Sequence, residues 1–306
     1  MTHVQSLDSI TLVNSWLTIG IFDGVHRGHQ SLLDRLVTGA QAEGNPAVVL
    51  TFHPHPAIVL GNQGDFKFLT TPQERAEILE SLGVEVVITQ PFDRQLAAQS
   101  AETFMRHLSR TLGVERLIIG YDFALGRGRE GDSQFLTTLG KSLGYSVDLI
   151  SPVSDDTEII SSSRIRQHLA AGQVEQAALD LGRLYSLQGP VVHGDGRGRH
   201  INIPTANIEI PEGKIVPGNG VYACWARDGA QRHAAVTNVG IRPTFTPEKQ
   251  SVNVEAHLLN FERDLYGREV QLEFVARLRD EMKFPSVDAL ITQIQADIAR
   301  AHDFLA

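Results

Sequence analysis

Short apolar runs alternate with amphipathic stretches through the first half of the chain. Leu17, Thr18, Ile19 and Ile21 read as a buried strand, and Leu32, Leu33, Leu36, Val37 and Ala40 then recur on one helical face. A β-branched run over 47–52 predicts a second strand. Thr71-Pro72-Gln73-Glu74 is a capping box with proline at the first helical position, opening a helix through Ile78, Leu79 and Leu82 that stops at Gly83. Strands follow over 84–88, 117–119 and 145–150, separated by a helix from Ser100 to Gly113 and another over 134–143. Repeated βα units with short links predict a doubly wound parallel sheet, whose ligands lie at the carboxyl ends of the strands.

Two short helices, over 165–171 and 174–181, precede a change of texture. From residue 185 the apolar runs are short, β-rich and close together, at 187–192, 220–226, 234–239, 252–259 and 269–276. Turn-forming Pro217-Gly218-Asn219-Gly220 and Arg227-Asp228-Gly229 separate them, which predicts an antiparallel barrel. Leu290, Ile294 and Ile298 mark a closing amphipathic helix over 286–304. The expected organisation is an α/β protein of two domains, 1–184 and 185–306.

Composition narrows the function classes. A length of 306 residues suits two domains, and 42% hydrophobic with 21% charged residues describes an ordinary globular chain. A net charge of −9 argues against nucleic acid or an anionic membrane as partner, and oligomeric state is left open. The single cysteine, Cys224, lies among Val221, Tyr222 and Trp225 and reads as a buried structural thiol, which excludes a cysteine-based metal cluster. Neither a leader over 1–12 nor a run of membrane-spanning length is legible, so a cytoplasmic location is expected.

The densest chemistry sits where the first strand meets the first helix, in Gly20-Ile21-Phe22-Asp23-Gly24-Val25-His26-Arg27-Gly28-His29. A helix N-terminus offers unpaired N–H groups and partial positive charge to phosphate. Gly24 and Gly28 would let backbone approach a ligand, and His26 and His29, about one turn apart, could address the same anion. Imidazole donors beside a transferring phosphoryl group favour its transition state. A tight turn with two surface histidines is the simpler alternative. Further candidate walls are Thr51 to Pro56, the loop from Gly120 to Asp132 with its alternating glycines and arginines, and Ser161 to Arg166. The last is a serine-capped helix start whose hydroxyls, with Arg164 or Arg166, could hold phosphate oxygens.

In the second half, Thr205 and Asn207 stand two apart on an extended segment and so point to one side. Their hard oxygens suit Mg²⁺, and the preceding loop Gly194-Asp195-Gly196-Arg197-Gly198-Arg199 could fold over phosphates. Glu255 alternates with core-directed residues and could accept a proton from an attacking hydroxyl. A turn-capping Thr/Asn pair and a solvated strand glutamate are the simpler alternatives.

Taken in order, these segments resemble the prokaryotic bifunctional riboflavin kinase/FAD synthetases. That family's adenylyltransferase half carries G-x-F-D-G-x-H-x-G-H, T-F-x-P-H-P, G-x-D-F-x-x-G and S-S-T-x-I-R, matched at 20–29, 51–56, 120–126 and 161–166, with Ser163 for the threonine. Its kinase half is matched by P-T-A-N at 204–207, N-V-G-I-R-P-T-F at 238–245, V-E-A-H-L-L-N-F at 254–261, D-L-Y-G at 264–267 and L-R-D-E-M-K-F at 278–284. The resemblance implies an HxGH nucleotidyltransferase-like sheet domain followed by a kinase barrel, which phosphorylate riboflavin to FMN and adenylylate FMN to FAD with ATP and Mg²⁺. It implies that His26, His29 and Arg164 serve adenylyl transfer, and that Gly20, Phe22, Asp23, Gly24, Gly28, Ser162 and Ser163 line the nucleotide. By the same resemblance Gly196, Gly198 and Arg199 hold phosphates in the kinase half, and His55, Asp122, Arg279 and Glu281 lie near flavin. Thr205 and Asn207 would hold Mg²⁺-ATP and Glu255 would be the base for the riboflavin hydroxyl. Asn202 replaces a glycine usual in the family. An adenylyltransferase with a weakened kinase is therefore one alternative, and a non-catalytic flavin-binding regulator is another.

Overall fold

The computed structural model describes residues 1–61, 66–154, 158–194, 203–242 and 251–305. Gly196, Gly198, Arg199 and Asn202 lie outside the described residues, as does the end of the 238–245 motif. By contact the chain falls into two units, Met1–Ser162 and Ser163–Ala306.

The first unit runs β1 (Thr2–Val4), β2 (Ser15–Ile19), α1 (Arg27–Glu43), β3 (Ala47–His53), α2 (Pro56–Leu60), α3 (Pro72–Ser81), β4 (Val86–Pro91), α4 (Arg94–Ala97), α5 (Ala101–Leu112), β5 (Val114–Gly120), α6 (Ser133–Leu143) and β6 (Ser146–Ile150). Its strands pair in parallel in the order β1-β4-β3-β2-β5-β6. Leu17, Ile19, Val48, Leu50, Leu117 and Ile119 pack one face against Phe104, Met105 and Leu108 of α5. Trp16, Val49 and Ile118 project to the other face, onto Leu33, Leu36 and Val37 of α1 and Leu79 of α3. Helices thus cover both faces, and the doubly wound sheet expected from the sequence is present. Chain order reverses between β2 and β5, so the crevice favoured by ligands opens at the carboxyl ends of those two strands.

Local signals set the helix ends. Thr71 and Glu74 complete the capping box in both directions, Ser100 accepts from the Thr103 N–H, and Gly113 ends α5 at φ 54°.

The second unit contains α7 (Ser162–Ala170, which starts at the boundary), α8 (Val174–Leu181), β7 (Tyr185–Val192), β8 (Ala206–Ile208), β9 (Gly220–Asp228), β10 (Gln231–Arg242), β11 (Ser251–Leu258), β12 (Glu269–Arg279) and α9 (Val287–Phe304). The strands close into an antiparallel barrel in the order β10-β11-β8-β7-β12-β9. Ala235, Thr237 and Val239 register with Leu258, Ala256 and Val254, and all six are buried inside it. Val236, Asn238 and Gly240 therefore face outward. On the outer surface Ala301 and Leu305, at the end of α9, cover Val221, Ala223 and Val236. The stripe expected from Leu290, Ile294 and Ile298 is only half-buried, because the deep contacts of α9 are Asp297 and Ala301.

The helices before the barrel pack onto it: the Gly218 N–H donates to Leu169 O at 2.8 Å and the Arg277 N–H to Glu175 Oε1 at 2.9 Å. The change of texture near 185 marks where the barrel strands begin, not where contacts divide.

Candidate active site

The turn between β2 and α1 is built from buried, constrained residues. Phe22 and Val25 hold positive φ values of 50° and 43°, which L residues avoid and a β-branched residue avoids most. Both side chains are buried in the core beneath α1. His26, 6% exposed, is the N-cap residue of α1. Its ring stacks on that of His29 with centroids 3.7 Å apart, and Phe22 meets His29 edge-on at 5.1 Å. The pair expected from the sequence is therefore brought together at the head of a helix and at the switch point of the sheet.

The glycines of this motif act mainly on its own rings. A Cβ at Gly28 would stand 3.1 Å from the His26 ring, and one at Gly20 2.9 Å from the Phe22 ring, so both leave room for those side chains. Gly24 takes φ 80° and donates its N–H to Thr70 Oγ1 at 3.0 Å. Asp23, expected at the nucleotide, is 2% exposed and uses its carboxylate to accept the Leu69 and Thr70 N–H groups at 2.8 and 3.1 Å. It clamps the loop before α3 to the turn.

Arg75 was not singled out by any motif. It is 4% exposed and donates to Ile21 O at 2.7 Å and Phe52 O at 3.4 Å, tying the ends of β2 and β3 together beneath the turn. Burial pulls its pKa below the usual arginine value, and the nearby Asp23 carboxylate opposes that shift.

Ser162, the last residue of the first unit, donates its hydroxyl to Asp23 O at 2.9 Å. Ser163 and Arg164 follow in the second unit. There the Arg164 Nε pairs with the buried Asp180 of α8 at 3.0 Å, and Arg166 donates to Ser163 Oγ at 3.2 Å. His55 caps α2 by accepting the Ala57 N–H on Nδ1 and lies 4.3 Å from the Phe66 ring. Asp122 is exposed at the end of β5, and its carbonyl accepts from Arg129 at 2.9 Å.

On the barrel, Glu255 of β11 registers with Asn207 of β8 and with Asn238 of β10. Strand alternation turns all three to the outer face, away from the buried Val254 and Ala256. Asn253 donates from Nδ2 to Glu255 Oε1 at 2.6 Å. Any Cβ at Gly240 would collide with the Glu281 carboxylate, which occupies that space close to Asn238. The buried Asn207 amide lies directly against the backbone of Gly194. Thr205 sits just ahead of β8 on the wall of an open cleft of about 360 Å³, together with Pro204, Ala206, Asp264 and Tyr266. Arg279, expected near flavin, donates three bonds of 2.8 to 3.0 Å to the carboxylate of Asp297 in α9, which is 1% exposed. That pair anchors α9 to β12. Cys224 is fully buried, and burial pushes its thiol up to about 12.

The first unit thus carries stacked imidazoles at a sheet switch point, and the barrel a carboxylate in register with two asparagines. Family models agree: the FAD synthetase model matches residues 9–164 and the riboflavin kinase model matches 181–305. The bifunctional riboflavin kinase/FMN adenylyltransferase of Listeria monocytogenes serovar 1/2a is 34% identical over 307 residues, covering 99% of this chain and 96% of its own. The protein of the same description from Escherichia coli K12 is 37% identical, with 94% and 92% covered. A solved structure from Streptococcus pneumoniae, described as a macrolide-efflux protein, superposes with a TM-score of 0.90 at 31% identity over 98% of both chains. Among the described residues no helix is long and apolar enough to cross a membrane. The chain belongs to the bifunctional riboflavin kinase/FMN adenylyltransferase family. It phosphorylates riboflavin to FMN and adenylylates FMN to FAD, with ATP as co-substrate.

Proposed function

We propose that residues 1–184 carry the adenylyl transfer and residues 185–306 the phosphorylation, each at the centre described above. The observation that carries this reading is the placement of the two chemistries: stacked His26 and His29 at the head of α1, and Glu255 in register with Asn207 on the barrel.

In the first reaction the riboflavin hydroxyl gives its proton to Glu255 as its oxygen bonds to the γ-phosphorus of ATP, and ADP leaves with the electrons of the broken P–O bond. In the second, a phosphate oxygen of FMN bonds to the α-phosphorus and pyrophosphate leaves. His26 and His29 then donate hydrogen bonds where negative charge builds on the α-phosphoryl oxygens, and the N-terminus of α1 adds its partial positive charge. Neither path needs a covalent intermediate on the protein.

Thr205 and Asn207 fit Mg²⁺, since both offer neutral oxygens and Asn207 is buried opposite the Glu255 carboxylate. Bound there, the ion would neutralise charge on the ATP phosphates. Ser162, fixed to the turn, and His55 and Asp122 at neighbouring strand ends are assigned to the substrates of adenylyl transfer. Glu281, beside Asn238, is assigned to the flavin of the kinase centre. The structural bonds of Asp23 and Arg279 recommend positioning roles for both. We place the enzyme in the cytoplasm, in keeping with its one buried, unpaired thiol.

The test is a product assay on the purified chain with ATP and Mg²⁺. Riboflavin should give FMN and then FAD, and supplied FMN should give FAD directly. FAD from FMN with no FMN from riboflavin would overturn the kinase assignment.

A further inference from the structure

Asn253 lies outside the motifs that mark the kinase half, two residues before Glu255 on β11. That spacing puts both side chains on the outer face of the barrel, in adjacent rows. The Asn253 amide donates to Glu255 Oε1 at 2.6 Å. An ionised carboxylate only accepts, so the amide must turn its NH₂ toward it. Across the sheet Glu255 registers with asparagines on both sides, Asn207 and Asn238, whereas Asn253 registers with Gly240. Gly240 has no side chain, and the Glu281 carboxylate takes up the room.

We propose that Asn253 is a positioning residue for riboflavin phosphorylation, holding the Glu255 carboxylate in the rotamer that receives the hydroxyl proton. The inference rests on the reading of Glu255 as that base. An amide neither gives up nor takes a proton at working pH, so Asn253 acts through the orientation of Glu255. A hydrogen bond to an ionised acceptor is stronger than a neutral one and is suited to fixing a terminal torsion that is otherwise broad. A carboxylate has about four lone-pair sites, so accepting from Asn253 and from a substrate hydroxyl are compatible. The O–H bond breaks, its proton passes to Glu255, and the oxygen's electron pair forms the new bond to phosphorus.

Steady-state kinetics on the full chain test this, with kinase and adenylyltransferase rates measured separately. For Asn253→Ala the kinase kcat should fall about tenfold, with KM for riboflavin and ATP within about twofold of the parent. FAD formation from supplied FMN should be unchanged. Asn253→Gln, whose longer amide can still reach the carboxylate, should recover part of kcat, and Asn253→Leu none. Parental kcat in Asn253→Ala, a loss confined to KM, equal loss of both activities, or a Gln variant no better than Leu would overturn the proposal. Glu255→Gln separates the two claims. Full kinase activity there refutes the base itself, whereas an inactive Glu255→Gln beside a fully active Asn253→Ala refutes only the positioning role.

Discussion

Val25 and Phe22 hold backbone angles that their side chains resist, and the surrounding structure over-determines them. Their rings and methyls are buried, and Arg75 grips the carbonyl of Ile21 from below. Arg75→Met should therefore lower FAD formation roughly tenfold while riboflavin phosphorylation stays within about twofold, as separate assays would show. The histidines of the turn were legible in the sequence because spacing within one helical turn is a local property. Arg75 was not, since its acceptors lie 54 and 23 residues away and no local pattern links them. The structural bonds of Asp23 are hidden for the same reason: its partners at Leu69 and Thr70 are remote in sequence. On the barrel, Asn207→Ala should raise the Mg²⁺ concentration needed for half-maximal kinase activity and leave adenylyl transfer unaffected. A magnesium titration of each reaction checks this. Cys224, with its thiol pushed up to about 12 and fully buried, should not react with an aromatic disulfide reagent at pH 8 until denaturant is added.

Among the elements, those with strong periodicity and caps are legible in the sequence: α1, α3, α5 and α6 begin and end within a few residues of their signals. β1 has three residues and is held by register with β4, so nothing within it announces a strand. The extended segment that carries Asn207 is legible, but its pairing is not: register with β11 is what sets Asn207 opposite Glu255. The amphipathic pattern over 286–304 specifies the terminal helix but not its attachment. α9 is anchored through Asp297 to Arg279, a buried ion pair 18 residues apart, in place of the aliphatic stripe alone. Breaking one partner of such a pair leaves a charge uncompensated, at a cost of about 3–5 kcal/mol. Asp297→Ala should lower the thermal midpoint and weaken kinase activity, whereas FAD formation from FMN at moderate temperature persists. Calorimetry and the two rate assays would check both halves of that expectation.

For the whole molecule, one chain carries two reactions in sequence, and FMN, the product of the first, is the substrate of the second. The order of motifs along the chain makes this pairing of activities legible before any geometry. The measurement that tests the division most directly is the paired assay of His29→Ala and Glu255→Ala, each supplied separately with riboflavin and with FMN. His29→Ala should form FMN at the parental rate and essentially no FAD. Glu255→Ala should form FAD from supplied FMN at the parental rate and essentially no FMN from riboflavin. Equal loss of both activities in either variant would contradict two separate centres.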